Sequence, residues 1–487
     1  MSPDLPASPD VPAARPAQPP SRAESGAGSS LRAGGCLITI LVLIVVLASV
    51  SLFYRPPAPP PATPYAGEDD GDGAAATAVR PGVRGVAVSP DGTLVVYGGE
   101  ESRGGRFVVQ VRRIEDGRFA DREMPAKAIG AHAGPIRAIR FLPGTRDQIL
   151  TASEDGTIGW WNVETGEMVA APAPPPEPAA AAAGSDARAG GGVAAPGGAA
   201  PTGDRGLLAL DVSPDGRHVA AGGWSGDILI WDMANPSAPP AVLPATPRPP
   251  GADLKTLVPT GHVDEIRTLL FVPGDPPMLL SGGGEGLVVG WDPVLRRPGR
   301  TVTLEGKGLS VRDLLMRQIE AGRDKQFAVV AFLASPGRSG VLASDFRGCV
   351  YLLETQGPCR GWWLGDAAPG ASPACARPVL KRERFCPPLD SEGKGPTGAF
   401  LGLAEYPGLG GGFVGIAWNE RMRVLRATDV DQWREFEGSA RRRDWMCGYS
   451  AGPRGRFIVT GGQAGYLRLY LLRGEASSPE IVLGDEI

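Results

Sequence analysis

The stretch VAVSPDGTLVVYGG, Val86–Gly99, has a near copy further along the chain, LDVSPDGRHVAAGG, at Leu210–Gly223. Both copies consist of a short apolar run, the tetrapeptide SPDG and a second apolar run that ends in two glycines. Pro and Asp favour a tight turn, and Gly adopts the left-handed backbone conformation that such turns require. Each copy therefore predicts a β-hairpin, and the recurrence indicates a protein built from repeats.

A second pair of segments, residues 131–162 and 261–292, supports the repeat. They begin AHAGPIRAIRFLPG and GHVDEIRTLLFVPG, and they end TASEDGTIGWWN and SGGGEGLVVGWD. In both segments a His and a Trp are 29 residues apart: His132 and Trp161, His262 and Trp291. His is rare in this chain, so the shared spacing and the matching apolar positions indicate a common structural unit.

These segments resemble the WD40-repeat family, whose units run from a Gly-His pair to a Trp-Asp pair. The resemblance covers residues 83–487 and implies an all-β fold, a β-propeller of about seven blades, with eight blades as an alternative. The seven units are centred on residues 83–125, 131–175, 204–260 and 261–304, followed by units starting at GKGLSVRDLLM, AFLGLAEYPG and CGYSAGPRG. The apolar run FAVVAFLA has no clear place in the fifth unit.

The resemblance also implies a buried tetrad of His, Ser or Thr, Asp and Trp within a unit. In the second unit these positions are matched by His132, Thr151 or Ser153, Asp155 and Trp161, with Ser153 as the selected hydroxyl. In the fourth unit they are matched by His262, Ser281, Glu285 and Trp291, where Glu stands in place of Asp. A catalytic interpretation of such a trio is possible, but mutual hydrogen bonding inside a blade is the preferred one.

Other motifs give no support to an enzyme. GYSAG, Gly448–Gly452, matches a nucleophile elbow, but that elbow requires a later His, and the last His is His262. The acidic stretch EDDGDG, Glu68–Gly73, lacks the spacing of a calcium loop. The sequence therefore predicts no catalytic residues, no cofactor and no metal site. A net charge of -4 gives no electrostatic footprint for nucleic acid.

The segment Cys36–Tyr54 contains 19 uncharged residues rich in Leu, Ile and Val. That length suffices for a helix to cross a bilayer core of roughly 30 Å, so we expect a single transmembrane helix. A cleaved signal peptide and a buried core element are the alternatives. Arg22 and Arg32 precede the segment and Arg55 follows it, which favours a cytoplasmic N-terminus and an extracytoplasmic propeller.

Low-complexity segments separate these parts. Residues 1–35 form a polar tail expected to be disordered, and residues 55–82 form a Pro-rich and then acidic linker that begins RPPAPPPATP. Two insertions interrupt the propeller: an Ala/Gly/Pro tract at residues 170–202 and a second segment at residues 356–398. We expect both insertions to be loops outside the blades.

The second insertion holds Cys359, Cys375 and Cys386 and the aromatic pair Trp362 and Trp363. A disulfide there would suit an oxidising compartment, and buried free thiols are the equal alternative. The aromatic pair could form a partner-docking patch, but packing against the rim of the propeller is the preferred interpretation.

The sequence as a whole predicts a membrane-anchored, non-enzymatic scaffold for protein–protein interaction. A propeller that binds a small ligand or catalyses a reaction at its central channel is the alternative. The two differ in whether charged side chains converge on one mouth of the channel. Because propellers serve many functions, the fold itself does not select a partner.

Overall fold

The computed structural model describes the propeller from residue 80 onwards, with gaps. The described ranges are residues 80–120, 127–176, 205–246, 261–294, 296–304, 328–334, 340–346, 348–365, 400–406, 412–417, 421–426, 434–436, 444–475 and 478–487. The predicted tail 1–35, the predicted transmembrane helix 36–54 and most of the predicted linker and insertions lie outside them.

The described residues form seven antiparallel sheets in chain order, which we call blades one to seven. Blade one contains β1 (Val83–Val88), β2 (Leu94–Arg103), β3 (Arg106–Glu115), β4 (Arg118–Phe119) and β5 (Lys127–His132). Blade two contains β6 (Ile136–Phe141), β7 (Gln148–Ser153), β8 (Ile158–Asn162) and β9 (Met168–Ala170). Blade three contains β10 (Leu207–Val212), β11 (His218–Gly223), β12 (Ile228–Asp232) and β13 (Ala241–Leu243).

The remaining blades follow the same meander. Blade four contains β14 (Ile266–Val272), β15 (Met278–Gly283), β16 (Leu287–Asp292) and β17 (Arg297–Thr303). Blade five contains β18 (Val329–Ala334), β19 (Gly340–Asp345) and β20 (Val350–Glu354), followed by a short helix α1 (Pro358–Trp363). Blade six contains β21 (Phe400–Tyr406), β22 (Gly412–Ala417), β23 (Met422–Arg426) and β24 (Arg434–Phe436). Blade seven contains β25 (Met446–Ala451), β26 (Phe457–Gly462), β27 (Leu467–Glu475) and β28 (Ser478–Glu486).

The seven blades form a closed ring. The first strand of each blade contacts the first strand of the next, and β25 of blade seven contacts β1 of blade one. Apolar clusters fill the spaces between adjacent sheets, as in the cluster that joins Val86 and Tyr97 of blade one to Val459 and Leu469 of blade seven. The structure therefore confirms the predicted all-β propeller and gives it seven blades.

Blade seven supplies all four of its own strands, because β28 pairs with β27 along its length. Among the described residues the ring thus closes by packing between blades one and seven, and all four strands of blade seven come from residues 446–486. One link across this seam is a hydrogen bond from the Phe119 backbone N–H to Asp485 Oδ2 at 3.0 Å.

In every blade the second residue of the first strand forms a β-bulge. A small residue follows each bulged position: Gly85, Ala138, Ala209, Thr268, Ala331, Gly402 and Gly448. A β carbon on Gly85 would lie 3.0 Å from the Ile139 side chain of blade two, and one on Gly402 would lie 2.6 Å from Tyr449 of blade seven. Small residues at this position therefore let neighbouring first strands approach each other.

The two SPDG copies form the same turn between first and second strands. Asp91 Oδ1 accepts hydrogen bonds from the Ser89 hydroxyl at 2.6 Å and the Thr93 backbone N–H at 3.0 Å. Asp215 accepts the matching bonds from Ser213 and Arg217. Gly92 and Gly216 have φ values of 78° and 72°, the left-handed region that Gly adopts at low cost.

The fifth unit differs from its predicted start. Its first strand, β18, is formed by the apolar run FAVVAFLA that the repeat alignment left without a place, whereas GKGLSVRDLLM lies outside the described residues. The start of this unit was misplaced because it lacks the His and the Trp whose spacing places units two and four. The pairing of β18 with β19 shows the same bulge as the other first strands.

The predicted rim packing of the aromatic pair holds for Trp363. Helix α1 places this side chain, 1% exposed, in the apolar cluster shared by blades four and five. Its Nε1 donates to the Glu354 carbonyl at 2.8 Å, and Trp362 packs edge-on against it. Arg360 of the same helix donates to the Pro273 carbonyl of blade four at 3.1 Å. The start of the second insertion is therefore fixed to the propeller.

Candidate functional site

Most of the side chains that are candidates for a function lie on one face of the propeller. At this face the first strands begin and the second strands end. We call it the entry face, because the chain enters each blade there. It includes both predicted tetrads, the bulged residues of the first strands and the turns between second and third strands. The hydrogen bonds within the tetrads determine whether their His, Ser and Asp groups are available for chemistry.

In blade two, Trp161 Nε1 donates to Thr151 Oγ1 at 3.0 Å, and His132 Nε2 lies 2.7 Å from the same oxygen. His132 Nδ1 lies 3.2 Å from Asp155 Oδ2. Since a carboxylate only accepts, the network places the ring proton on Nδ1 and lets the Thr151 hydroxyl donate to Nε2. His132 is buried and its four-residue network is complete, so these groups hold the blade together.

The hydroxyl of this network belongs to Thr151, which corrects the choice of Ser153. The Ser153 hydroxyl donates instead to the Gly134 carbonyl at 2.9 Å and accepts from the Asp155 backbone N–H at 3.1 Å. Residues 151 and 153 point to the same side of β7, so the sequence pattern does not separate them. Only the depth at which His132 enters the blade selects Thr151.

Asp155 is held ionised by its surroundings. Burial alone would raise its pKa, but hydrogen bonds from His132 and Thr157 outweigh burial and keep the pKa of Asp155 well below its ordinary value. The Ala133 backbone N–H also donates to Asp155 Oδ2 at 2.8 Å. The carboxylate is therefore a fixed acceptor in the turn and is poorly suited to donate or take up protons near neutral pH.

Blade four repeats the network with a longer acid. Trp291 Nε1 donates to Ser281 Oγ at 2.6 Å, and His262 Nε2 lies 2.6 Å from the same oxygen. Glu285 Oε1 contacts His262 Nδ1 in the place that Asp155 occupies in blade two. Glu285 Oε2 is buried without a hydrogen-bond partner among the described residues. The extra methylene of Glu thus preserves the His contact but leaves one oxygen unsatisfied.

Gly283 makes room for the longer acid. A β carbon at this position would collide with both carboxylate oxygens of Glu285 and with His262 Nδ1. The matching position in blade two is Ser153, since each residue pairs with the first residue of its blade's first strand. The two blades therefore use different combinations at these positions, Ser with Asp in one and Gly with Glu in the other.

Blade three keeps the Trp but not the tetrad. The position of Thr151 is taken by Ala221, and Trp231 Nε1 donates instead to the Ala173 carbonyl at 2.9 Å. Ala173 belongs to the segment that leaves β9, and its N–H donates to the Pro236 carbonyl at 2.8 Å. Ala173 lies within the predicted insertion 170–202, whose first residues therefore contact the blades, contrary to the expectation of a loop outside them. The sequence shows no sign of this contact because Ala173 carries no distinguishing side chain.

Comparison with known proteins agrees with this geometry. Two segments match the WD40 family. The matching family model, described as WD domain, G-beta repeat, covers residues 124–162 and 201–232. The first segment includes the His132 tetrad, and the second covers three strands of blade three. Blade four lies outside the matched segments although it has a tetrad. Blades five to seven also lie outside them, and these blades lack the His–Trp pair.

Two relatives also match over part of the chain. The ribosome biogenesis protein WDR12 homolog of Chlamydomonas reinhardtii is 30% identical over 106 residues, which are 22% of this chain and 20% of that protein. Striatin-3 of Homo sapiens is 29% identical over 174 residues, which are 36% of this chain and 19% of that protein. The chain thus spans about a fifth of each relative.

Around the channel mouth, three arginines occupy the bulged positions of blades one, two and four. Each is paired with a carboxylate: Arg84 with Glu100, Arg137 with Glu154, and Arg267 with Glu265. Arg84 also donates to Cys447 Sγ of blade seven at 3.1 Å. Charged groups therefore converge on the mouth, but they largely neutralise one another.

Three large aromatic side chains on the entry face remain half exposed. Trp224 and Phe346 follow the second strands of blades three and five, and Trp445 precedes the first strand of blade seven. Their exposed fractions are 46%, 44% and 50%. Side chains of this size are usually buried, so the exposure of all three on a single face is unusual.

Deeper in the channel, side chains satisfy the open inner edges of first strands. Asp211 Oδ2 accepts from the Phe271 backbone N–H at 2.7 Å, and Ser450 Oγ accepts from that of Val88 at 3.0 Å. Arg140 Nε lies 3.6 Å from Asp211 Oδ1, and the partly buried Tyr449 is within electrostatic range of both. Burial raises the pKa of Asp211 despite the nearby Arg140. These polar groups are thus engaged in holding adjacent blades.

The cysteines of the described residues divide into two kinds. Cys349 and Cys359 are both disulfide-bonded, whereas Cys447 is a free thiol. Burial raises the pKa of the Cys447 thiol even though Arg84 adjoins it. Cys375 and Cys386 lie outside the described residues. Within the described ranges no group of three His, Cys, Asp or Glu side chains could hold a metal ion.

The predicted transmembrane helix, residues 36–54, is outside the part of the chain that the structure describes. Among the described residues no helix has the length and apolar character needed to cross a membrane.

Proposed function

We propose that this protein is a non-enzymatic scaffold that binds other proteins through the entry face of its propeller. The observation that carries the proposal is the exposure of Trp224, Phe346 and Trp445 on that face. Trp is strongly enriched among the residues that dominate binding energy in protein interfaces. These two Trp side chains and one Phe side chain lie on a single ring of blades and supply apolar anchors without any rearrangement of the blades.

The paired charges at the channel mouth support the same function. Arg137 and Glu154 are each about one-fifth to one-quarter exposed, so a partner can reach the pair without breaking it. Such charges at the edge of an interface govern orientation and association rate more than affinity. The alternative, a ligand or reaction in the channel, has less support, because Arg140 and Asp211 are already engaged with neighbouring blades.

The partial relatives are compatible with a scaffold. The match to the WD domain, G-beta repeat model and to segments of a ribosome biogenesis protein and of Striatin-3 supports a repeat protein. We carry none of those proteins' individual partners over to this chain, since the matched segments are only a fifth of their length. The proposed partners are proteins, not nucleic acid, consistent with the absence of excess positive charge.

We also propose that residues 36–54 anchor the protein in a membrane as a single helix and that the propeller is extracytoplasmic. Two observations support this: the 19 uncharged residues of that segment, and the disulfide bonds of Cys349 and Cys359. Disulfides persist mainly in oxidising compartments. A fluorescent protein fused after Ile487 tests the orientation, because cytoplasmic fluorescence would contradict it.

The scaffold proposal is tested by quantitative affinity purification of the full chain from gently solubilised membranes. The test variant replaces Trp224, Phe346 and Trp445 by Ala. The matched control variant also introduces Ala, at Met168, Val294 and Leu483. These are exposed apolar side chains of the outer strands and turns. We expect partners recovered with the wild type and the control variant to be lost with the test variant. Equal recovery with all three proteins would refute the proposed surface.

A further inference from the structure

Blade five differs from the other blades at its outer edge. In the other six blades a further strand pairs with the third strand, whereas the third strand of blade five, β20, pairs only with β19 among the described residues. The chain leaves β20 into helix α1, which contacts β16 and β17 of blade four. In the part of the chain that the structure describes, the outer edge of β20 is therefore left without a strand.

The backbone of β20 shows what this edge can bind. The Asp345 N–H donates to the Cys349 carbonyl at 3.0 Å, so β19 and β20 begin with a hydrogen-bonded pair. Such pairs alternate along antiparallel strands, so the backbone groups of Tyr351 and Leu353 face β19. Those of residues 350, 352 and 354 face the open edge. This alternation of donors and acceptors matches an extended chain.

The start of β20 is buried although its outer edge is open. Val350 is 1% exposed and belongs to the apolar cluster between blades five and six. At the other end of the strand, the Glu354 carbonyl accepts from Trp363 Nε1 at 2.8 Å. Buried backbone polar groups are nearly always hydrogen-bonded, so the burial of Val350 favours a further strand over exposure to water.

Disulfide-bonded cysteines stand at both ends of β20. Cys349 lies in the turn from β19 on the entry face, where its N–H donates to Asp345 Oδ1 at 3.0 Å. Cys359 lies in α1 at the opposite end, with its Sγ 3.6 Å from Glu354 Oε2. The five residues of β20 rise about 16 Å, whereas the Cα atoms of a disulfide lie at most about 7 Å apart. Cys349 and Cys359 are therefore bonded to other cysteines and not to each other.

The rest of the chain contains four cysteines, of which Cys447 is a free thiol. Cys36 belongs to the predicted transmembrane segment, whereas Cys375 and Cys386 lie between α1 and β21. Helix α1 contacts blade four, and β21 is the first strand of blade six. The segment that contains Cys375 and Cys386 therefore starts and ends on either side of blade five.

We propose that residues 376–385, ARPVLKRERF, form the fourth strand of blade five. Two disulfides hold this strand, one from Cys359 to Cys375 and one from Cys349 to Cys386. Third strands start at the entry face, so a fourth strand antiparallel to β20, as in the other blades, runs back towards that face. The earlier cysteine therefore meets α1 and the later one meets the turn before β20. The chain is then at the entry face, where β21 begins.

The length and sequence of this segment suit an outer strand. Ten extended residues reach up to about 33 Å, which exceeds the length of β20. The fourth strands of blades two, three and six are short, with the sequences MVA, AVL and REF, so a few paired residues suffice. Val379, Leu380 and Phe385 supply apolar side chains, and Lys381–Arg384 are charged. Charged side chains on an outer strand hinder edge-to-edge pairing with other chains.

Each disulfide forms by oxidation of two thiols. The two S–H groups give up two protons and two electrons and form one S–S bond. A disulfide oxidant such as oxidised glutathione takes up these protons and electrons and becomes two thiols. The proposed pairing follows from the geometry of blade five, so it does not depend on the entry-face surface or on the membrane orientation.

The test is disulfide mapping by mass spectrometry on the full chain in detergent, oxidised in a glutathione buffer. Trypsin cuts at basic residues between Cys375 and Cys386, and a protease specific for Glu cuts after Glu354, so the four cysteines fall on separate peptides. We expect Cys359 linked to Cys375 and Cys349 linked to Cys386. The reverse connectivity, a bond to any other cysteine or to a second chain, or two unlinked cysteines in the segment would overturn the proposal.

Residue-resolved hydrogen exchange tests the strand itself. The amides of Leu352 and Glu354 face the open edge, whereas those of Tyr351 and Leu353 face β19 and serve as an internal control. We expect all four amides to be protected in the oxidised protein. Reduction of the disulfides should speed exchange at Leu352 and Glu354 by at least about tenfold, with little change at Tyr351 and Leu353.

Variants separate this effect from reduction in general. We expect C375S/C386S to reproduce the faster exchange at Leu352 and Glu354. The control C447S removes the free thiol and should exchange as the wild type does. Unprotected amides at Leu352 and Glu354 in the oxidised wild type would overturn the proposed strand, even if both disulfides were found as expected.

Discussion

The carboxylate of Glu285 occupies the space that a β carbon on Gly283 would take. In blade two the matching residues are Asp155 and Ser153, where a shorter acid leaves room for a side chain two residues earlier. Each combination gives the His of its blade an acidic partner. Exchanging only one of the two residues is expected to destabilise the blade. The identity of one residue in this turn therefore constrains the other.

This constraint predicts strong coupling in a double-mutant cycle. We expect G283S to lower the free energy of unfolding by about 1–3 kcal/mol through overpacking. E285D alone shortens the acid beneath His262, and the double variant G283S/E285D recreates the blade-two combination. Denaturant unfolding of the three variants should give an interaction energy of about 1–2 kcal/mol in favour of the double variant. Simple additivity would contradict the packing argument.

The hydroxyl of blade two gives a second prediction. T151V leaves Trp161 Nε1 and His132 Nε2 without their shared partner, so we expect the free energy of unfolding to fall by about 2–4 kcal/mol. T151S retains the hydroxyl and should cost less. S153A removes only the bonds to Gly134 and Asp155 and is expected to cost about 1 kcal/mol. A larger effect of S153A than of T151V would show that Ser153 holds the network.

The lowered pKa of Asp155 predicts how its contribution depends on pH. A carboxyl group whose pKa is depressed by folding stabilises the native state above its unfolded pKa of about 3.9, and that stabilisation is lost as pH falls through the folded value. We therefore expect D155N to be less stable than wild type at pH 7, with the difference shrinking below about pH 4. Urea unfolding across this range measures it. The control E115Q, at an exposed position, should show no such convergence.

Asp211 predicts the opposite sign. Burial raises its pKa, so its ionised form is disfavoured in the folded protein, and stability falls as pH rises above the unfolded value of about 3.9. The variant D211N keeps an oxygen for the Phe271 N–H without the charge. We expect D211N to gain stability relative to wild type as pH rises from 4 to 7, measured by thermal unfolding. A relative loss over that range would show that attraction to Arg140 dominates.

The contact between Trp231 and Ala173 predicts a local effect. W231F retains most of the apolar volume but removes the hydrogen bond to the Ala173 carbonyl, at a cost of about 1 kcal/mol. We expect faster hydrogen exchange at the Ala173 amide and little change in β10 and β11. The matched variant W291F breaks a tetrad instead, so its effect should centre on blade four. Uniform exchange changes in W231F would contradict a local role.

Much of the architecture follows from local sequence. The SPDG turns, the paired glycines after each hairpin and the spacing of His132 and Trp161 indicate the repeat because they depend on turn geometry and strand periodicity. The blades with both His and Trp could therefore be placed from the sequence. Blade five, which has neither, was misplaced, and only its pairing with β19 identified FAVVAFLA as the first strand.

The sequence by itself indicated an all-β propeller of about seven units and the residues eligible for each tetrad. Tertiary structure decided between Thr151 and Ser153, completed blade seven with β28 and placed Trp445 and Arg84 on the entry face. The reason is physical: alternation along a strand specifies a side of the sheet, but the depth of a side chain and the seam between blades depend on contacts with other segments. The partners are 19 residues apart for His132 and Thr151 and 366 residues apart for Phe119 and Asp485. The contact between Phe119 and Asp485 exists only once blades one and seven meet.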